Sequence, residues 1–280
     1  MKIGIVTDNT ANLDKKYIEE NDIGLVSLYV NNGDNFYKAS EKDVEEFYEE
    51  IKDIVYIPKT SQPSVKDFEK IYTEMLDNYD KIISLHISSE LSGTYNSAKI
   101  ASNMVDDGEV IVVESKLTTF GLRFLVMDVK KMIDEGKDIN EIVKFAENYH
   151  KKVDTYFSVG DLNYLYKGGR IGKAKTMMGN ILNMSPLLRL YEGKLEPVKS
   201  IRGQKKLYKE MVKMAMRDSL NKLEHLMVAH TDSLKIADKI KEELINYGVD
   251  EKLIESSYID IIIGNHLGPN SGGIIAVWRN

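Results

Sequence analysis

Apolar positions in the first 150 residues alternate between short continuous runs and longer stretches at helical spacing. Residues 3–6 form a run of the kind that fills a buried strand, and Asp8-Asn9-Thr10 closes it as a turn. A helix is predicted over 12–20 and a β-branched strand over 23–30. The next helix, 41–51, carries Val44, Phe47, Tyr48 and Ile51 on one face. After Ser61-Gln62, Pro63 suits a first helical turn, and Val65, Phe68, Ile71, Tyr72 and Met75 continue that helix. Strands over 81–87 and 109–113 then alternate with helices over 92–105 and 118–135. This rhythm predicts a parallel sheet covered on both faces, with ligands at the carboxyl ends of its strands. Asp8, Ser88 and Ser115 belong on that edge, and Ser61 reaches it from the loop before its helix.

Beyond about residue 150 the pattern changes. A strand over 155–159 is followed by strands over 187–190 and 194–199, whose connection Tyr191-Glu192-Gly193 reads as a hairpin. Antiparallel pairing indicates a second sheet. A helix over 204–220, a strand over 226–229, a helix over 234–247 and a last strand over 274–278 complete it. Two α/β domains are expected, 1–150 and 151–280, with no Pro/Gly/Ser-rich linker between them.

Composition narrows the chemistry. There is no cysteine, which removes disulfides and thiolate catalysis and suits a reducing cytoplasm. A net charge of −6 gives no general attraction to nucleic acid. No apolar run approaches the ~20 residues that span a bilayer, and the opening run is too short for a signal segment. No histidine pair has metal-ligand spacing, so neither a metal nor a cofactor is expected.

Two hydroxyl-rich segments stand where helices should begin, Thr60-Ser61-Gln62-Pro63-Ser64 and Ser92-Gly93-Thr94. Each has an ordinary reading as a cap, with Asp67 completing a capping box to Ser64. Two helix N-termini converging on one sheet edge would instead cradle an anion. Lys167-Gly168-Gly169-Arg170-Ile171-Gly172-Lys173-Ala174 falls one residue short of a phosphate loop and lacks its magnesium-binding hydroxyl, so it is no ATP site. Its alternatives are a solvated glycine turn or an Arg170 that meets an anion. The cluster around Arg202 is either a solvated helix start or a docking patch. His266, in Gly264-Asn265-His266-Leu267-Gly268-Pro269, is the histidine least like a core residue and is expected in a loop. Met177, Met178, Ile181, Leu182 and Met184 form either a wall for an apolar ligand or ordinary packing. No serine sits in Gly-x-Ser-x-Gly, and no His/Asp partner order is evident.

In this order the segments resemble the DegV family of bacterial fatty-acid-binding proteins. The resemblance spans the chain. It rests on Val6-Thr7-Asp8-Asn9-Thr10, Thr60-Ser61-Gln62-Pro63, Ser88-Ser89-Glu90-Leu91-Ser92-Gly93-Thr94-Tyr95, Lys167-Gly168-Gly169-Arg170-Ile171 and His266-Leu267-Gly268-Pro269. It departs from the family pattern at Asn9, where relatives carry serine, and at Asn270-Ser271, which lengthens the loop after His266. The resemblance implies a two-domain α/β fold that holds one long-chain fatty acid. It implies a cytoplasmic carrier, not an enzyme by itself, that presents the acyl carboxylate to a separate ATP-dependent kinase subunit. The acyl-phosphate would then serve phospholipid metabolism, with transient membrane or acyltransferase contact. By position, Ser61 and Ser92 resemble the principal carboxylate donors, with Thr60 and Thr94 beside them and His266 as a further donor. Arg170 and Arg202 resemble positions at the pocket rim or kinase-docking surface. The residues alone leave open an enzyme acting on a small phosphorylated or carboxylated metabolite.

Overall fold

A computed structural model describes residues 1–33, 35–51, 57–105, 110–179 and 184–279. These form two units, 1–41 with 58–150 and 42–57 with 151–280.

The first unit opens with β1 (Ile3–Asp8), α1 (Lys15–Glu20), β2 (Gly24–Val26), β3 (Tyr29–Asn31) and β4 (Phe36–Lys38). After α2 (Val44–Ile51), which belongs to the second unit, the chain returns with β5 (Lys59–Ser61), α3 (Val65–Leu76), β6 (Lys81–His86), α4 (Thr94–Ser102), β7 (Val110–Glu114), α5 (Thr119–Asp134) and α6 (Ile139–Asn148). Its main sheet is parallel in the order β2-β1-β6-β7. All six residues of β1 are buried, so apolar runs replace alternation, as expected where both faces are covered. One core cluster joins Val6, Ile82 and Val112 of the sheet to Phe68 and Tyr72 of α3 and Ala98 and Ala101 of α4.

The predicted strand over 23–30 is two short strands in different sheets. β3 leaves the parallel sheet and pairs antiparallel with β4 and β5. The reason lies at Ser27 and Leu28. Asn9 Oδ1 accepts the Leu28 N–H at 2.8 Å, and Ser27 Oγ donates to Leu28 O and accepts the Ser40 N–H. Side chains thus take over the backbone groups that would have extended the ladder.

The second unit continues with β8 (Val153–Ser158), α7 (Leu162–Lys167), β9 (Ser185–Tyr191), β10 (Lys194–Ile201), α8 (Gln204–Ala215), β11 (Leu223–His230), α9 (Leu234–Tyr247), β12 (Glu255–Tyr258), α10 (Ile261–Leu267) and β13 (Gly272–Trp278). They build a mixed sheet in the order β10-β9-β8-β13-β11-β12, in which only β11 and β12 pair in parallel. The expected hairpin over 187–199 is β9–β10, with Glu192 and Gly193 both at positive φ in its turn. α8 and α9 cover one face through Leu207, Met211, Ile240 and Leu244.

The expected continuous domain 1–150 is interrupted, because 42–57 groups with the second unit. Within that unit, Tyr48 is fully buried, donates its hydroxyl to Ile259 O at 2.9 Å and stacks on Tyr258. The residues Ile181 and Leu182 of the anticipated apolar wall lie outside the described residues. No helix among the described residues is long and apolar enough to cross a membrane.

Candidate functional site

In the first unit the two hydroxyl segments meet. A side-chain atom on Gly93 would fall 1.9 Å from Gln62 Oε1, so the Gln62 amide occupies the space that only a glycine leaves free. The same amide donates from Nε2 to Ser97 Oγ at 2.9 Å. Gln62 thereby clamps the end of β5, with Thr60 and Ser61, against the start of α4, with Ser92 and Thr94. Thr94 is fully buried and Ser92 nearly so, and their hydroxyls lie 2.8 Å apart. Thr60 is half-buried and Ser61 exposed.

The helix starts differ from the expected matched pair. α3 is closed by a capping box: Ser64 Oγ accepts the Asp67 N–H and Asp67 accepts the Ser64 N–H. Pro63 precedes that cap rather than filling the first turn, and Ser61 lies in β5 rather than in a loop. A capped N-terminus that carries its own carboxylate does not attract a second anion. α4 begins at Thr94, two residues later than anticipated; Gly93 at its start has no side chain to cap it, and Ser92 Oγ accepts the Thr94 N–H at 3.4 Å. Its first N–H groups have no intrahelical partner. One open helix start plus hydroxyls, rather than two helix starts, is what this unit offers an anion.

Behind this lies a buried network with no motif in the sequence. Asp8 Oδ2 is 3.1 Å from His86 Nδ1 and accepts the Ile87 N–H at 3.0 Å. Asp8 Oδ1 accepts the N–H and hydroxyl of Thr10. His86 Nε2 is 2.6 Å from Ser84 Oγ, which is 2.7 Å from the Tyr72 hydroxyl. Asp8, His86 and Ser84 have the connectivity of a catalytic triad. Ser84 is fully buried inside β6 and already paired with Tyr72, so an acyl group has no path to it. The pairing was invisible in sequence because Asp8 and His86 stand 78 residues apart and meet only through the β1–β6 register.

In the second unit, His266 is in the last turn of α10, not in a loop, and it is buried. Asp260 caps that helix by accepting the Ile262 and Ile263 N–H groups. The His266 Nδ1 occupies the place a Gly168 side chain would take, 2.3 Å from it, and Arg170 donates from NH1 to Gly168 O at 2.6 Å. The Gly-Gly-Arg turn after α7 and the end of α10 are thus one structure. Burial, with the Arg170 charge adding to it, brings the His266 pKa down to about 4. The ring is therefore neutral at physiological pH and offers one N–H and one acceptor rather than a charge. Burial also lowers the Arg170 pKa. Arg202 is exposed in the turn between β10 and α8. No group of three or more potential metal ligands occurs among the described residues.

Comparison with known proteins bears on this arrangement. The family model described as "uncharacterised protein, DegV family" matches residues 2–279. The chain belongs to the DegV family. The DegV protein of Bacillus subtilis is 34% identical over 278 residues, covering 98% of each chain. A protein of Thermotoga maritima named fatty acid-binding protein is 33% identical over 281 residues, covering 98% of this chain and 96% of its own. Among solved structures, a fatty-acid-binding DegV family protein from Thermus thermophilus superposes with a TM-score of 0.91 at 30% identity, over 99% of this chain and 100% of that one. The B. subtilis DegV structure, described as a fatty acid binding protein, gives 0.88 at 32% identity with full coverage of both. The α/β DegV fold expected from the motifs is therefore the fold of this chain.

Proposed function

We propose that this protein binds one long-chain fatty acid in a buried pocket and presents its carboxylate to an ATP-dependent kinase subunit for acyl-phosphate formation. The observation that carries the reading is the Gln62 clamp, which brings Thr60 and Ser61 beside Ser92, Thr94 and the start of α4. Relatives named for fatty acid binding support it. Ser61 and Ser92 are the proposed principal donors to the carboxylate, with Thr60 and Thr94 beside them. His266 is proposed as a further donor to the fatty acid, and Arg170 and Arg202 as residues that face the kinase subunit.

The energetics favour such a ligand. Burying ~15 methylenes at ~0.8 kcal/mol each gives on the order of 12 kcal/mol, against an association cost of at least ~4 kcal/mol. The head group need only recover its desolvation, and charge-assisted hydrogen bonds at roughly 1.5–3 kcal/mol each do so. A carboxylate held by neutral donors, with no buried cation paired to it, keeps its nucleophilicity toward ATP.

Native mass spectrometry of the purified protein, followed by release and identification of lipid, tests the reading. The expected result is a one-to-one complex with a long-chain fatty acid. A protein that purifies without lipid and takes up neither saturated nor unsaturated fatty acids refutes it.

A further inference from the structure

The buried chain runs from Tyr72, in the body of α3, to Asp8 at the end of β1. Tyr72 is on α3, the helix that follows Thr60 and Ser61. At the other end, Asp8 holds the N–H of Ile87, where β6 passes into the loop that carries Ser92. Both Asp8 oxygens already accept N–H groups, from Thr10 and from Ile87. The assignment that satisfies every member then has His86 donating from Nδ1 to Asp8, Ser84 donating to His86 Nε2 and Tyr72 donating to Ser84. Each of Asp8, His86, Ser84 and Tyr72 is fully buried.

The loop is also tied to the neighbouring strand β7, where the Glu114 carboxylate accepts the Ser89 N–H at 3.3 Å. Ser88 donates its N–H to Leu117 O at 2.8 Å and accepts the Ser92 N–H at 3.1 Å. Leu117 in turn donates its N–H to Ser115 Oγ, and Ser115 donates its hydroxyl to His86 O. Asp8 reaches Ser92 through the N–H of Ile87 and the turn at Ser88, and through the His86 backbone that Ser115 also holds.

We propose that Asp8 is a positioning residue of the carboxylate site: by fixing Ile87 and His86 it sets the 88–92 loop, and so the Ser92 and Thr94 hydroxyls, in the geometry that receives an anionic head group. This rests on the fatty-acid reading above. Alanine at position 8 removes the Oδ2 that Ile87 and His86 share and the Oδ1 that Thr10 uses, so none of these four donors keeps its acceptor. The loop then loses its register while the apolar core around it is retained. A residue that merely stabilises the unit would weaken all ligands alike. A residue that positions the head-group donors weakens a carboxylate and spares an uncharged head on the same tail.

The test compares oleic acid with oleyl alcohol on the whole protein, wild type and Asp8→Ala, at a temperature where circular dichroism finds both folded. Oleate affinity is expected to fall about tenfold in Asp8→Ala, with oleyl alcohol changing less than about twofold. An unchanged ratio of the two affinities overturns the inference and leaves the fatty-acid reading standing. Wild-type protein that binds neither ligand overturns both. If Asp8→Ala does not fold, His86→Gln carries the same comparison, because it removes the ring that links Asp8 to Ser84. The same loss of carboxylate preference is expected, and an unchanged ratio again overturns the inference.

Discussion

Replacing Gly93 by alanine separates the clamp between the hydroxyl segments from the stability of the helix it begins. The backbone at Gly93, with φ −73° and ψ 5°, accepts any L-residue, so strain does not enter. The conflict is with Gln62 alone: the new Cβ would stand 1.9 Å from Oε1, 2.6 Å from Cδ and 2.8 Å from Nε2, where ordinary contact is about 3.5–4.0 Å. Gln62 is exposed and swings into solvent, giving up its bond to Ser97. That loss costs about 0.5–1.5 kcal/mol, and regained rotamer freedom offsets up to about 1 kcal/mol of it. Gly93→Ala should therefore change stability by less than about 1 kcal/mol. In a Gln62→Ala background the clash is gone and the same substitution should be neutral, leaving a coupling of less than about 1 kcal/mol across the cycle. Trp278, the single tryptophan, is in the second unit, so its fluorescence does not report this change. Amide hydrogen exchange over α4 does. Oleate affinity should fall about tenfold with Gly93→Ala, since a displacement of ~1 Å at a recognition site is enough for that. An equal effect of Gly93→Ala in both backgrounds would refute the clamp.

Three further outcomes follow from the second unit. Gly264→Ala places a Cβ 1.8 Å from the hydroxyl of fully buried Tyr48, which has no exit to solvent, so it should destabilise the unit by about 3 kcal/mol or more, measured by Trp278 fluorescence in urea. Gly168→Ala displaces the His266 ring from its 2.3 Å approach and should cost about 1–3 kcal/mol; a ring resonance at the wild-type chemical shift argues against this packing. Burial brings the His266 pKa down to about 4, so between pH 4 and 6.5 the unfolded chain binds the extra proton and stability rises with pH by roughly 3 kcal/mol in all. Burial raises the Asp154 carboxyl to about 6 despite the Arg217 Nε at 2.6 Å, so there the folded state keeps the proton and stability falls as pH rises from about 4 to 6. The two slopes oppose each other. Asp154→Asn should expose the His266 slope as a steeper gain in stability from pH 4 to 6.5, and equal slopes in both proteins would count against these assignments.

The sequence alone determined the elements whose signal is local. The 3.6-residue spacing of Val65, Phe68, Tyr72 and Met75 specified α3, and Ser64 with Asp67 specified its cap, because a capping box closes within four residues. The run of α9 and the β9–β10 turn were legible for the same reason. Spacing misplaced the ends. α8 stops at Ala215 rather than near 220, α1 begins at Lys15 rather than 12, and α6 and α7 went unforeseen. The family motifs marked Ser61, Ser92, Arg170 and His266 as residues of interest without saying what each touches. Tertiary structure decided the rest. Only the meeting of β5 with α4 shows that Gly93 is glycine to admit Gln62. Only the packing of α10 on α7 turns His266 from an apparent loop residue into a buried, neutral ring against Gly168. The same holds for Asp8 and His86, whose bond depends on strand register across 78 residues. Local hydrogen bonds and hydrophobic period are written residue by residue. Which distant side chain fills a given space, and how far water is excluded from it, exists only once the chain has packed.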